Sequence, residues 1–224
     1  MTAIILAGGF GTRLQSVVKD IPKPMANING KPFLEYLLQY LSLLDITSII
    51  LSVGYKQEVI KNYFKDSYKS MQIKYSCEDA PLGTGGAIKQ AFGLLDTHEN
   101  VLVLNGDTFF NLDINHFKDV SKSKELSIAL KPMKDFKRYG SVEVNNNMVT
   151  SFKEKCFVKD GLINAGVYLI NPSLIKKMDN VVFSFEDFLE NQKNIGFYTE
   201  DSYFVDIGVP EDYAQAQLDF KELF

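Results

Sequence analysis

Apolar positions fall into two regimes along this chain. Over the first half, short apolar or β-branched runs alternate with stretches whose apolar residues recur every three or four positions. The runs at 2–7, 48–53, 72–76 and 100–104 read as strands, and the first carries Ile4, Ile5, Leu6 and Ala7 without a polar break, as expected of a strand covered on both faces. Between them, 32–44 places Phe33, Leu34, Leu37, Leu38 and Leu41 at helical spacing, with Pro32 suited to a first turn; 57–64 and 84–95 also read as helices. This β-α-β-α-β-α-β order predicts a parallel sheet with right-handed crossovers and helices on both faces. In the second half, strand-like runs at 127–131, 141–144, 148–152 and 163–170 crowd together across turns such as Asn145-Asn146-Asn147, which predicts an antiparallel extension beside the parallel core. Helices are expected at 185–191 and 210–223. The fold class is therefore α/β: a mostly parallel central sheet flanked by helices, with a smaller antiparallel extension.

Composition narrows what such a fold can do. The chain has 224 residues, 46% of them hydrophobic and 23% charged, which is enough for a substantial core. A net charge of −4 without a basic block argues against nucleic acid as a partner, so an anionic ligand must be held by a local cluster of cations. No apolar run reaches membrane-spanning length, and no cationic segment precedes the first one; a cytoplasmic protein with no membrane partner is expected. Cys77 and Cys156 lack the spacing of a zinc site and read as free thiols. With His98 and His116 the only histidines, a His-rich metal centre is excluded, and any metal must take oxygen ligands, which favours magnesium or manganese.

Ligands of open α/β sheets bind outside the carboxyl ends of the strands, so the loops at 8–23, 78–86 and 105–110 should face one cleft. In the first, Gly8-Gly9-Phe10-Gly11-Thr12-Arg13 combines glycines, which let backbone N–H groups turn toward a phosphate, with a guanidinium fork. Leu14 stands where a dinucleotide fingerprint needs its third glycine, and no Gly-Lys-Ser/Thr triplet makes a P-loop. Lys23 lies between Pro22 and Pro24, which hold its root in place. In the second loop Glu78 and Asp79 can accept from a purine edge, and Thr84 is placed to cap the following helix. Asp107 ends the fourth strand after Gly106, and Asp206, in Val205-Asp206-Ile207-Gly208, likewise follows an apolar run close to a glycine; together they suit a hard divalent cation, although an Asx turn explains either one alone. Glu154 and Asn164 can bond sugar hydroxyls, Lys155 can neutralise a second phosphate, and Tyr139 beside Gly140 is placed near the site. A surface salt bridge or turn residue is an equal reading of each.

Taken in order, Gly9-Phe10-Gly11-Thr12-Arg13, Pro22-Lys23-Pro24, Pro81-Leu82-Gly83-Thr84, Gly106-Asp107, Glu154-Lys155, Asn164-Ala165-Gly166 and Asp206-Ile207-Gly208 followed by Pro210-Glu211-Asp212-Tyr213 resemble the sugar-1-phosphate nucleotidyltransferases, from near residue 2 to near residue 217. The resemblance implies a Rossmann-like, GT-A-like nucleotidyltransferase domain over 1–224, with 1–110 as its nucleotide-binding half and 111–224 as its sugar-phosphate-binding half. It implies Mg2+ as cofactor and GTP and a sugar 1-phosphate as partners, and it is strongest to the branch that uses a heptose 1-phosphate. By that resemblance Arg13 and Lys23 are the catalytic phosphate cations. Leu6, Ala7, Gly8, Gly9, Gly11, Thr12, Glu78, Gly83 and Thr84 bind the nucleotide, and Asp107 and Asp206 hold the metal. Asn105, Tyr139, Gly140, Glu154, Lys155, Asn164 and Gly166 bind the sugar phosphate. Cys156 stands where the family often has proline. The implied reaction is in-line attack of the sugar phosphate on the α-phosphorus of GTP with loss of pyrophosphate. Other pairs stay open (mannose 1-phosphate with GTP, N-acetylmuramate 1-phosphate with UTP), as does a non-catalytic nucleotide-sugar-binding subunit. A dinucleotide oxidoreductase is disfavoured by Leu14. A homo-oligomer is compatible with all of this.

Overall fold

Each central strand sends alternate side chains to opposite faces, and the core is accordingly double. A computed structural model describes residues 1–14, 17–18 and 20–224, and of Thr12 the backbone alone. In chain order the elements are β1 (Thr2–Leu6), β2 (Asn27–Ile28), β3 (Lys31–Pro32), α1 (Phe33–Leu41), β4 (Ser48–Val53), α2 (Gln57–Phe64), β5 (Ser67–Tyr68) and β6 (Met71–Cys77). They continue with α3 (Gly83–Phe92), β7 (Val101–Asn105), β8 (Thr108–Phe110), α4 (Ile114–Ser121), β9 (Leu126–Phe136), β10 (Ser141–Asn145) and β11 (Met148–Phe152). The last are β12 (Val158–Ile170), α5 (Pro172–Ile175), α6 (Phe185–Glu190), β13 (Gly196–Thr199), β14 (Phe204–Asp206) and α7 (Pro210–Leu223). Ala3, Ile5, Ile49, Leu51, Leu102 and Leu104 face α1, α2, α4 and α7; Ile4, Ile50, Val101 and Val103 face α3, α5 and α6. No helix among the described residues is long and apolar enough to cross a membrane.

The main sheet runs β11-β10-β12-β7-β1-β4-β6-β5, with β9 on the far side of β12 and β13 outside β9. Its centre, β7-β1-β4-β6, is parallel throughout. The chain steps outward from β1 to β4 to β6, then returns past both to place β7 on the other side of β1. Right-handed crossovers therefore put α1 and α2 on one face and α3 on the other. The strand order reverses between β1 and β7, and the crevice at their carboxyl ends is the expected ligand position.

The expected antiparallel extension is present: β12 pairs antiparallel with β7, β9 and β10. Its long strands exceed the local pattern. β9 continues to Phe136 through Pro132, beyond Leu130, where its pairing with β13 ends. As an edge from there on, it tolerates a residue without an N–H. β12 begins at Val158 and shifts register between Asn164 and Tyr168, with Gly166 at φ +70°. The expected helix at 32–44 stops at Leu41 and dissolves into turns, and that at 84–95 spans Gly83–Phe92. Helix α4 and the short β8–β14 pair are not foreseen by periodicity: α4 buries only Ile114, Phe117 and Ser121, and each strand has three residues.

Candidate active site

Four consecutive carboxyl ends of the parallel strands build one cavity of about 570 Å³, within the range of small-molecule sites. After β1 come Gly8 to Gly11 and Arg13; after β4, Gly54 and Tyr55; after β6, Glu78 to Pro81, Gly83 and Thr84; after β7, Asp107. Leu6, Ser52 and Asn105 line it from the strands themselves. The backbone locks these loops together: Gly106 N–H donates to Leu6 O (2.9 Å), Tyr55 N–H to Gly8 O (3.3 Å) and Glu78 N–H to Val53 O (2.8 Å).

The glycine loop is shaped around Lys23. Gly11 has φ +60°, and a Cβ there would lie 2.8 Å from Lys23 Cβ. Lys23 begins a 3₁₀ turn, Lys23–Met25, closed by Met25 N–H on Pro22 O and Ala26 N–H on Lys23 O, with Pro24 and Met25 buried. The lysine is thus rooted in the core, and its ammonium donates to Asp107 Oδ2 (2.6 Å) and Asp206 Oδ1 (3.3 Å). Those aspartates meet because β8 and β14 pair antiparallel: Asp206 lies opposite Thr108, and Ile207 N–H donates to Asp107 O. Asp206 Oδ1 also accepts from Gly208 N–H at 2.8 Å. Burial, then the facing charge of Asp107, push the Asp206 carboxyl above its ordinary range, against the pull of Lys23. Two hard carboxylates facing each other want a cation, and Lys23 supplies one.

The pair also fits a divalent ion chemically. Among the described residues no cluster of three or more His, Cys, Asp or Glu is arranged to hold a metal. Magnesium, however, is commonly held by one or two carboxylates, with phosphate oxygens and water completing its shell.

Of the expected nucleotide-binding residues, Leu6, Gly8, Gly9, Gly11, Glu78, Gly83 and Thr84 line the cavity, as do Arg13 and Lys23. Ala7 is buried behind it, with its N–H donating to Ser52 O, and the Thr12 side chain lies outside the described residues. The expected cap role of Thr84 is not observed. Its hydroxyl accepts from Phe185 N–H (2.8 Å) and donates to Glu186 Oε2 (2.7 Å), so it serves the first turn of α6. Helix α3 begins one residue earlier, after Leu82, without a side-chain cap. The glycines around Thr84 meet the segment at 181–183: a Cβ on Gly85 would strike the Phe183 ring at 2.2 Å, and one on Gly86 would strike Val181 O at 2.3 Å. Glu78 closes its own loop by accepting from Leu82 N–H at 3.0 Å.

The acceptor-side residues are more dispersed. Asn105 lines the cavity, and Gly166 packs on it, since a Cβ there would lie 2.5 Å from Asn105 Nδ2. Asn164 lines neither cavity; it accepts from Gly166 N–H and donates to the Tyr168 hydroxyl. Tyr139 and Asp206 line a second cavity of about 460 Å³, which also includes Arg138 and Asp212, an ion pair. Gly140 packs against Lys153 O, while Glu154 and Lys155 stand exposed on the β11–β12 loop and line neither cavity. Sequence reasoning overlooked Ser52, Gly54, Tyr55 and Gly208 as lining residues. The first three follow the same carboxyl-end rule that exposed the other loops. The ring of Tyr55 packs 5.1 Å from that of Phe10.

Comparison with known proteins matches this geometry. The chain is 52% identical over 218 residues to the D-glycero-alpha-D-manno-heptose 1-phosphate guanylyltransferase of Campylobacter jejuni, covering 95% of this chain and 97% of that protein. It is 48% identical to the enzyme of that name from Aneurinibacillus thermoaerophilus, over 99% of both. A crystal structure of HddC from Yersinia pseudotuberculosis complexed with GMP-PN superposes with a TM-score of 0.89 at 40% identity, covering 98% of this chain and 99% of that one. Residues 2–222 match the nucleotidyl transferase family, and with the cavity at the β1/β7 switch point the conclusion is that this chain belongs to it.

Proposed function

We propose that the protein transfers GMP from GTP to D-glycero-α-D-manno-heptose 1-phosphate, yielding GDP-heptose and pyrophosphate. One observation carries the reading: Arg13, Lys23 and Asp107 line the glycine-loop cavity, and Lys23 also bonds Asp206, which lines the neighbouring cavity, so a triphosphate lying along Gly8–Gly11 meets both cations beside the carboxylate pair. The names of the two guanylyltransferase relatives support the choice of nucleotide and sugar.

The incoming sugar phosphate is already an anion and needs no side-chain base. The difficulty is to bring it against a second anion while charge moves onto the leaving pyrophosphate, so positioning and fixed cations supply the catalysis. In this reading Arg13 faces the leaving pyrophosphate and Lys23 the α-phosphate. Backbone N–H groups of the Gly8–Gly11 loop hold the phosphate oxygens. Glu78 and the backbone beside Gly83 read the base, at the end of the cavity where the Glu78 carboxylate lies against Gly8. Asp107 and Asp206 hold Mg2+, whose contribution when bound is to neutralise phosphate oxygens and align them. On the acceptor side, Tyr139, Gly140 and Glu154 hold the sugar, with Asn164 and Gly166 behind Asn105. Lys155, exposed on its loop, meets the sugar's phosphate.

The test is a matrix of nucleoside triphosphates against sugar 1-phosphates with pyrophosphate detection. The largest kcat/KM is expected for GTP with the heptose 1-phosphate. A larger value with mannose 1-phosphate would reassign the sugar. Absence of pyrophosphate with every pair would refute transfer itself.

A further inference from the structure

We propose that Lys23 is the resident counter-cation of the Asp107–Asp206 pair, occupying the place of a divalent ion until a triphosphate arrives, so that metal enters with the nucleotide and not before it. This rests on the reading of the two aspartates as metal ligands. The ammonium bonds both carboxylates at once, at 2.6 and 3.3 Å, and the side chain is only 10% exposed. A lysine with a solvated role would extend into water; this one is seated in a fitted recess. Its root is pinned by the turn at Pro22–Met25, and its stem passes against Gly11, where any Cβ would collide with it. Its tip faces Gly208, where a Cβ would come within 3.1 Å of Nζ and 2.8 Å of Asp206 Oδ1.

Charge makes the arrangement exclusive. A divalent ion approaching alone meets a like charge already bonded to both of its ligands, and repulsion at such distances is strong away from bulk water. Lys23 must leave first, and its departure becomes favourable only when another anion is ready to receive the ammonium. The triphosphate on the neighbouring glycine loop is that anion. The four-carbon stem lets the charged tip swing while the root stays fixed. Metal and nucleotide then strengthen each other's binding through the lysine, in addition to direct chelation, and by linkage the effect is reciprocal.

The experiment is a titration of the intact protein with Mn2+, followed by electron paramagnetic resonance, without and with a non-hydrolysable GTP analogue. Without nucleotide, Lys23→Met should bind Mn2+ about tenfold or more tightly than the unsubstituted protein, and the advantage should shrink or reverse once the analogue is present. Lys23→Gln, whose neutral amide still donates to carboxylates, guards against a poorly folded methionine variant and should shift in the same direction. In the unsubstituted protein, the 15N resonance of the Lys23 ammonium should stay put with Mg2+ alone and move with Mg2+ plus analogue. Equal Mn2+ affinity in all three proteins without nucleotide, lost on Asp107→Asn, would leave the metal ligands standing and overturn the role of Lys23. Unchanged binding in Asp107→Asn would overturn the ligand reading as well.

Discussion

Gly11 illustrates how one residue joins loop shape to site chemistry. Its φ of +60° lies in the left-handed region, and its missing side chain makes room for the stem of Lys23. Alanine there incurs both backbone strain and a collision 2.8 Å from Lys23 Cβ. Gly11→Ala is expected to lower stability by about 1–3 kcal/mol, the range for a residue held in a sparsely populated backbone region. It should lower turnover by more than that loss of folded protein explains, because the lysine is displaced. Urea denaturation alongside pyrophosphate release checks this; a variant destabilised in that range yet fully active would show that the fit between Gly11 and Lys23 does not matter to the chemistry. Gly11 and Lys23 are both prominent in the sequence. Their contact is not, since it depends on a turn at Pro22 that folds the chain back on its own loop.

At the scale of elements, α4 shows where pattern reading runs out. It has eight residues, and one apolar ridge, Ile114 and Phe117, faces the core. Its start is nevertheless written locally: Asp113 Oδ1 accepts from His116 N–H at 2.9 Å, a side-chain cap on an otherwise unsatisfied donor. Asp113→Ala should cost about 1 kcal/mol of stability, read as a lower melting temperature, with turnover unchanged because α4 contributes nothing to the cavity lining. Unchanged stability would mean that packing alone defines the helix. Strand β12 is the opposite case. Its long apolar run is plain in the sequence, but the register shift at Asn164–Tyr168, which seats Gly166 on Asn105, follows from meeting β7 and β9 on its two edges.

At the scale of the whole molecule, α7 closes the fold over β8 and β14, whose pairing brings the two aspartates together. Phe220 is buried among Phe33, Tyr36, Phe109 and Tyr203, with ring centroids 4.9–6.3 Å apart. It thereby ties α1, β8 and the approach to β14 into one cluster. Phe220→Ala is expected to cost about 3–5 kcal/mol in urea denaturation, as for other large-to-small changes in a core. A loss below about 1 kcal/mol would show that the cluster relaxes around the gap and that α7 is no clamp. The parallel core, its crossovers and the glycine loop were all determined by the sequence alone, because continuous apolar runs, helical periodicity and glycine spacing are local signals. The likeness of Asp107 and Asp206, each an aspartate within two residues of a glycine and just after an apolar run, was legible in the same way. Only the tertiary structure decided that β8 and β14 bring these aspartates face to face, that Lys23 lies between them, and that Thr84 serves α6. A three-residue strand has no periodicity to read, and the partner of a charge is set by distance in space, which for residues far apart in the chain exists only after the sheet has closed.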